Sequence, residues 1–252
     1  MLFAFRNADS ATEYIIYTLF LLVAVCIALV LHEVAHGLVA KWNGDYTAKY
    51  EGRLTLNPIK HFDPIGLIMM LTVGFGYAKP VPVNPYNFKH SRRGMFTVAI
   101  AGICTNLILA FLSSLFYDLM FLGYINTLSE AFVYFMNFFE ISMQINIAFA
   151  FFNLLPIFPL DGFRIVETFT KRGNAFCRFM RTNGQYILWG LVGLSLIVQM
   201  AGRYATLPSW FGYVDVLGTY IDFFTEKVMW LFVNFWALMM PPVRQWLWLI
   251  GL

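Results

Sequence analysis

From Ile15 to Leu31 the chain runs 17 residues without a charge, and the next five residues are His32, Glu33, Val34, Ala35 and His36. Read as a helix rising 1.5 Å per residue, that run covers roughly 25 Å of a hydrocarbon core about 30 Å thick. Helix is the form such a segment takes in lipid, because each backbone polar group must find its partner within the protein. The five residues that follow are therefore expected inside the membrane, near its far face. At about 100° per residue, His32, Glu33 and His36 share one arc of a helix surface.

His-Glu-x-x-His is the spacing that presents two imidazoles to a zinc ion with a carboxylate beside them as general base. In a soluble chain the pattern also arises by chance, and a single buried His is more often a hydrogen-bonded core residue than a ligand. Lipid changes that balance. An ionisable group at the centre of a membrane helix costs about 2.5 to 3.5 kcal/mol even on the mildest scale, which marks it as functional. A zinc site returns on the order of 10 kcal/mol and offsets that cost.

The whole chain has the same character: 60% of its 252 residues are hydrophobic and 12% charged, which predicts an all-α polytopic membrane protein. Candidate spans are Ile15 to Trp42, Phe96 to Tyr117, Ile141 to Leu155, Tyr186 to Gly202 and Val228 to Met240, giving about five to six transmembrane helices. Ile65 to Gly76 is too short to cross. Asp9 and Glu13 precede the first apolar run and no small-residue cleavage site follows it, so that run is expected to stay as a helix.

Basic residues cluster in three connections: Lys41, Lys49, Arg53 and Lys60; Lys79, Lys89, Arg92 and Arg93; and Lys171, Arg172, Arg178 and Arg181. The positive-inside tendency makes these cytosolic. Both flanks of Ile65 to Gly76 then lie on one side, which predicts re-entry, and His32 to His36 sits at the cytosolic leaflet. Cys26, Cys104 and Cys177 are too scattered for a disulfide framework or a zinc cluster and are read as packing residues. With no linker, repeat or low-complexity tract, residues 1–252 are expected to form one domain, with a catalytic core over about 14–170 and C-terminal helices over 182–252.

Two further segments carry polar chemistry. Thr72 to Val83 is rich in Gly, Pro and β-formers and reads as an extended, β-like element whose prolines confine it to an edge or a loop. Such an edge either packs to close the site or accepts an unwound substrate strand. In Asn153 to Gly162, Pro156 and Pro159 end a helix at membrane depth, and Asp161 precedes another helical pattern, Phe163 to Phe169. Asp161 is then either the cap of that helix or the third protein ligand that a catalytic zinc commonly needs, and HEVAH favours the ligand.

The pairing of HEVAH with Asn153-Leu-Leu-Pro-Ile-Phe-Pro-Leu-Asp-Gly162 resembles the site-2 protease family of intramembrane zinc metalloproteases. Gly52-Arg-Leu-Thr-Leu-Asn-Pro58, Gly74-Phe-Gly-Tyr-Ala-Lys-Pro-Val-Pro-Val-Asn84 and Ala101-Gly-Ile-Cys-Thr-Asn106 extend the likeness to compact bacterial members without a PDZ module, over roughly Leu31 to Glu167. The resemblance implies His32, His36 and Asp161 as zinc ligands, Glu33 as the catalytic glutamate, and Asn106 as a polar residue facing substrate or the tetrahedral intermediate. For Asn106 a helix-to-helix hydrogen bond is the alternative. Ile103 stands where the family often has proline, a departure that removes no reactive group.

The expected function is hydrolysis of peptide bonds within or near transmembrane segments of membrane-protein substrates, with Zn2+ as cofactor, in the bacterial cytoplasmic membrane. Gly74, Phe75, Gly76 and Asn153 are the candidate substrate contacts. The partners expected are a substrate transmembrane helix and the lipid bilayer, and no nucleic acid. A metal transporter or sensor using the same His/His/Asp set is the alternative, although transit sites usually come with more intramembrane acids along a path. A silent scaffold is a third reading, against which Glu33 stands, since a structural site needs no base.

Overall fold

A helix that is apolar around its whole circumference has no water-facing side, so packing and lipid divide its surface between them. Helix α1 (Ala11–Trp42) shows the division. Ile15, Leu19, Val23 and Ile27, four apart, form an exposed stripe, while Ala24, Val25 and Ala28 on another face are buried against Ile141 and Ile145. Small residues on the packed side let backbones approach closely. Ser10 starts the helix by accepting the Glu13 amide at 3.2 Å.

The computed structural model describes residues 10–64, 66, 78–171, 173–204, 209–240 and 242–243. The other helices among them are α2 (Thr47–Tyr50), α3 (Ser91–Thr127), α4 (Glu130–Leu154), α5 (Asp161–Phe169), α6 (Ala175–Tyr204) and α7 (Val216–Met239). Helices α1, α3 and α4 pack against one another, α7 lies across α3 and α4, and α5 tucks against α3. Four described helices are long and apolar enough to cross a membrane: α1, α3, α4 and the Ala175–Gly202 part of α6. The protein is an all-α polytopic membrane protein. The fifth expected span falls in α7, whose first half also carries Asp222, Glu226 and Lys227.

Between α1 and α3 the chain is held by polar contacts. Asp45, fully buried, accepts from the Thr47 amide and hydroxyl, the Asn84 amide and the Asn87 side chain. Burial pushes its carboxyl up, but those hydrogen bonds pull harder and leave it below the ordinary carboxylate value. Phe62 and Ala78 form an isolated antiparallel bridge, the Lys79 amide reaches His61 O at 2.8 Å, and Arg53 Nη2 donates to Lys79 O at 2.6 Å. Of the expected extended stretch, Ala78 to Val83 is seen, non-helical and bridged only at Ala78. The expected re-entrant run Ile65 to Gly76, apart from Gly66, and the candidate contacts Gly74, Phe75 and Gly76 lie outside the described residues.

Helix α4 stops at Leu154, two residues before Pro156, as a proline ring requires. Helix α5 begins at Asp161, just past Pro159, and folds back so tightly that a Cβ on Gly162 would collide with the Leu154 carbonyl. Glycine is the residue that allows this turn.

Candidate metal and catalytic centre

His32 and His36 lie one turn apart late in α1, and α5 carries Asp161 to them; all three are about 95% buried. Asp161 is the first residue of α5, and the N-cap position is taken by Leu160, so the capping role is not the one Asp161 takes. Its Oδ2 lies 3.3 Å from His32 Nε2 and 3.0 Å from His36 Nε2, and the two Nε2 atoms are 3.0 Å apart.

The far side of each ring decides what the three converging atoms carry. His36 Nδ1 lies 2.7 Å from Val98 O, and a carbonyl only accepts, so Nδ1 bears the proton. His32 Nδ1 faces Asn106 Oδ1 at 2.6 Å. Asn106 Nδ2 points to Ala28 O at 3.3 Å and Asn146 Oδ1 at 2.9 Å, so its oxygen accepts from His32. In neutral rings both Nε2 atoms therefore present lone pairs, together with Asp161 Oδ2, which is buried without a hydrogen-bond partner. Two protons placed on nitrogens 3.0 Å apart would face each other. One cation satisfies all three atoms, and tetrahedral zinc with bonds near 2.0 to 2.1 Å sets its ligands about 3.3 Å apart. The group is positioned for a metal ion.

Neighbouring residues complete the geometry. Arg164 Nη1 lies 3.6 Å from Asp161 Oδ1, which leaves Oδ2 as the inward oxygen. Gly102 on α3 is flush with the His32 ring: a Cβ there would sit 2.6 Å from Nε2 and 2.7 Å from Nδ1. Glu33 is half-buried, and its Oε2 accepts the Val81 amide at 2.8 Å.

The structure brings His32, His36 and Asp161 together, and sets Glu33, the neighbour of His32 on α1, against the Val81 amide. Asn106 is fully buried behind His32, and the hydrogens of its amide go to Ala28 O and Asn146 Oδ1, the helix-to-helix contact that was its alternative reading. Asn153, in the last turn of α4, donates to Phe149 O at 3.1 Å within its own helix. Reading the sequence alone missed Asn146, Gly102, Arg164 and the amide of Val81. A neutral polar residue in an apolar helix was the available sign for Asn146, and spacing was the sign for Gly102, which sits one turn before Asn106.

Comparison with known proteins agrees with this centre. The profile of peptidase family M50 matches residues 123–196. Three curated relatives each bear the name "putative zinc metalloprotease". YwhC of Bacillus subtilis (strain 168) is 40% identical over 187 residues, 69% of this chain and 85% of its own. MJ0611 of Methanocaldococcus jannaschii is 30% identical over 71% of this chain and 77% of its own, and Rip2 of Mycobacterium tuberculosis (strain H37Rv) 32% over 73% and 69%. No solved structure gives a significant match. Because the likeness to YwhC runs through most of that protein, and the family profile covers the segment that supplies Asp161, the chain belongs to peptidase family M50, the site-2 proteases, and is a zinc metalloprotease.

Proposed function

We propose that this metalloprotease hydrolyses a peptide bond within or beside a transmembrane segment of another membrane protein, at the cytosolic leaflet of the bacterial cytoplasmic membrane. One observation carries the reading: His32 and His36 of the His/His/Asp group are built into α1, itself a 32-residue helix apolar enough to span. A substrate that reaches those atoms does so at membrane depth. The basic connections around Lys41 to Lys60 and Lys79 to Arg93, which flank the site in sequence, support the cytosolic assignment.

His32, His36 and Asp161 hold the zinc in this reading. Bound zinc supplies Lewis acidity, polarising a carbonyl and acidifying a water. Glu33 takes the proton of the attacking water and returns it to the leaving amine. A transmembrane helix hides its carbonyls in its own hydrogen bonds, so the substrate must unwind locally before attack. The Gly74 to Pro82 stretch, with Asn153, is the proposed support for the unwound strand. Among the described residues His32, His36 and Asp161 form the single candidate metal group, which offers a transported ion no second station.

The test is cleavage in proteoliposomes of a single-span substrate, with the products sequenced. Cuts inside or next to the span, abolished by Glu33→Gln, support the proposal. Cuts confined to soluble loops far from the bilayer, or ion flux without cleavage, overturn it.

A further inference from the structure

The hydrogen bonds behind His32 have a direction, and a backbone carbonyl on α4 sets it. Ser142 O only accepts, so the Asn146 atom 2.8 Å from it is the amide nitrogen, and Asn146 Oδ1 points the other way. That oxygen takes a hydrogen from Asn106 Nδ2 at 2.9 Å, and the second hydrogen on Nδ2 goes to Ala28 O. Asn106 Oδ1 is left to accept from His32 Nδ1 at 2.6 Å. Asn106 and Asn146 are both fully buried, so no bulk water competes for these groups.

We infer that Asn146 is a positioning residue of the metal centre: acting through Asn106, it fixes the tautomer and ring orientation of His32 so that Nε2 faces the zinc. His36 needs no such relay, because Val98 O holds its Nδ1 directly. The orientation of His32 instead rests on the Asn106 amide, which is held by Ala28 O at 3.3 Å and, over the shorter distance of 2.9 Å, by Asn146 Oδ1. Partners of this kind behind a metal ligand typically change metal affinity 10- to 100-fold when removed. A hydrogen bond that merely joins α3 to α4 has no such effect. One is close by for comparison, between Ser113 and Ser142 Oγ at 3.0 Å.

The test measures zinc affinity, together with the visible absorption of the cobalt-substituted protein, in Asn146→Leu, Asn106→Leu, the double variant and Ser113→Ala. Leu has the same number of heavy atoms and the same branching as Asn but no hydrogen-bonding group, and it is bulkier. Asn146→Ala is run beside Asn146→Leu, so that one folded variant suffices. Asn146→Leu is expected to bind zinc 10- to 100-fold more weakly and to shift the cobalt bands. The double variant should bind no more weakly than Asn106→Leu alone, and Ser113→Ala should match wild type. Affinity within twofold of wild type and an unchanged spectrum in a folded Asn146 variant would overturn the relay. A full additive loss in the double variant would do the same. The inference rests on His32 being a zinc ligand, and the two failures separate: a His32→Ala protein with normal zinc removes the ligand assignment, whereas a depleted His32→Ala beside a replete Asn146→Leu removes only the relay.

Discussion

The Val81 amide donates to Glu33 Oε2 at 2.8 Å across 48 positions of sequence. Pro80 and Pro82 on either side have no N–H, so this is the one backbone donor the three residues possess, and it is spent on the Glu33 carboxylate. The segment is anchored on both sides, by Arg53 and His61 at Lys79 and by Asp45 at Asn84. Glu33 is thereby held from the connection rather than from its own helix.

Removing that donor should show in turnover. Hydrogen bonds to charged groups contribute about 1.5 to 3 kcal/mol, so Val81→Pro is expected to lower kcat roughly 10- to 100-fold with zinc content unchanged. Val81→Ala keeps the N–H and should stay within a few-fold of wild type. Steady-state kinetics with metal analysis of both variants checks this, and a Val81→Pro enzyme with normal kcat would remove the contact from the mechanism.

Glu33 and Asp161 should separate cleanly. Glu33→Gln keeps shape but cannot take a proton, so cleavage should fall by orders of magnitude while about one zinc per chain remains. Asp161→Ala should lose most of its zinc with its helical circular dichroism intact. Stoichiometric zinc in Asp161→Ala would mean that α5 supplies no ligand.

Gly102→Ala puts a methyl group into the His32 ring, and the neighbouring atoms are an aromatic ring rather than a flexible chain end. The expected result is a marked loss of zinc affinity. Gly190→Ala in α6, where a Cβ meets nothing within 4 Å, should leave zinc binding as it is and raise helix stability slightly. Elemental analysis and thermal melts of the pair decide the point.

The Asp45 carboxylate gives a pH dependence with a defined sign. A carboxyl depressed in the folded state adds stability that is complete above its unfolded value, about 3.9, and is lost as pH falls through the lower folded value. In chelator-treated protein, Asp45→Asn should lower the Tm by an amount that is constant from about pH 8 to 5, then shrinks below about pH 4 as the wild type loses the same advantage. A gap that grows on acidification would mean that Asp45 is not held ionised.

What the sequence made legible was local or chemically forced. His32, Glu33 and His36 follow from spacing on one helix, and Asp161 from the need for a third ligand near a proline-broken helix end. The apolar segments located the long helices but understated α3, whose hydrogen bonding continues through Arg92, Arg93 and Asp118 to Thr127, past the residues at which hydropathy stops. The orientation of the Asn106 amide was not legible, because an amide donates and accepts equally and only the carbonyls of Ala28 and Ser142 fix which end meets His32. Gly102 was equally hidden, since its necessity lies in the ring pressed against it.

The partnerless Asp161 Oδ2 beside two imidazole lone pairs has a consequence for folding as well as for chemistry. Three donor atoms converge there from two helices. An ion held by them would be a cross-link that rivets α1 to a segment entering only after two further transmembrane passes. Such a rivet would stabilise in proportion to the logarithm of free zinc, so metal supply would register as rigidity of the three side chains proposed to hold the ion.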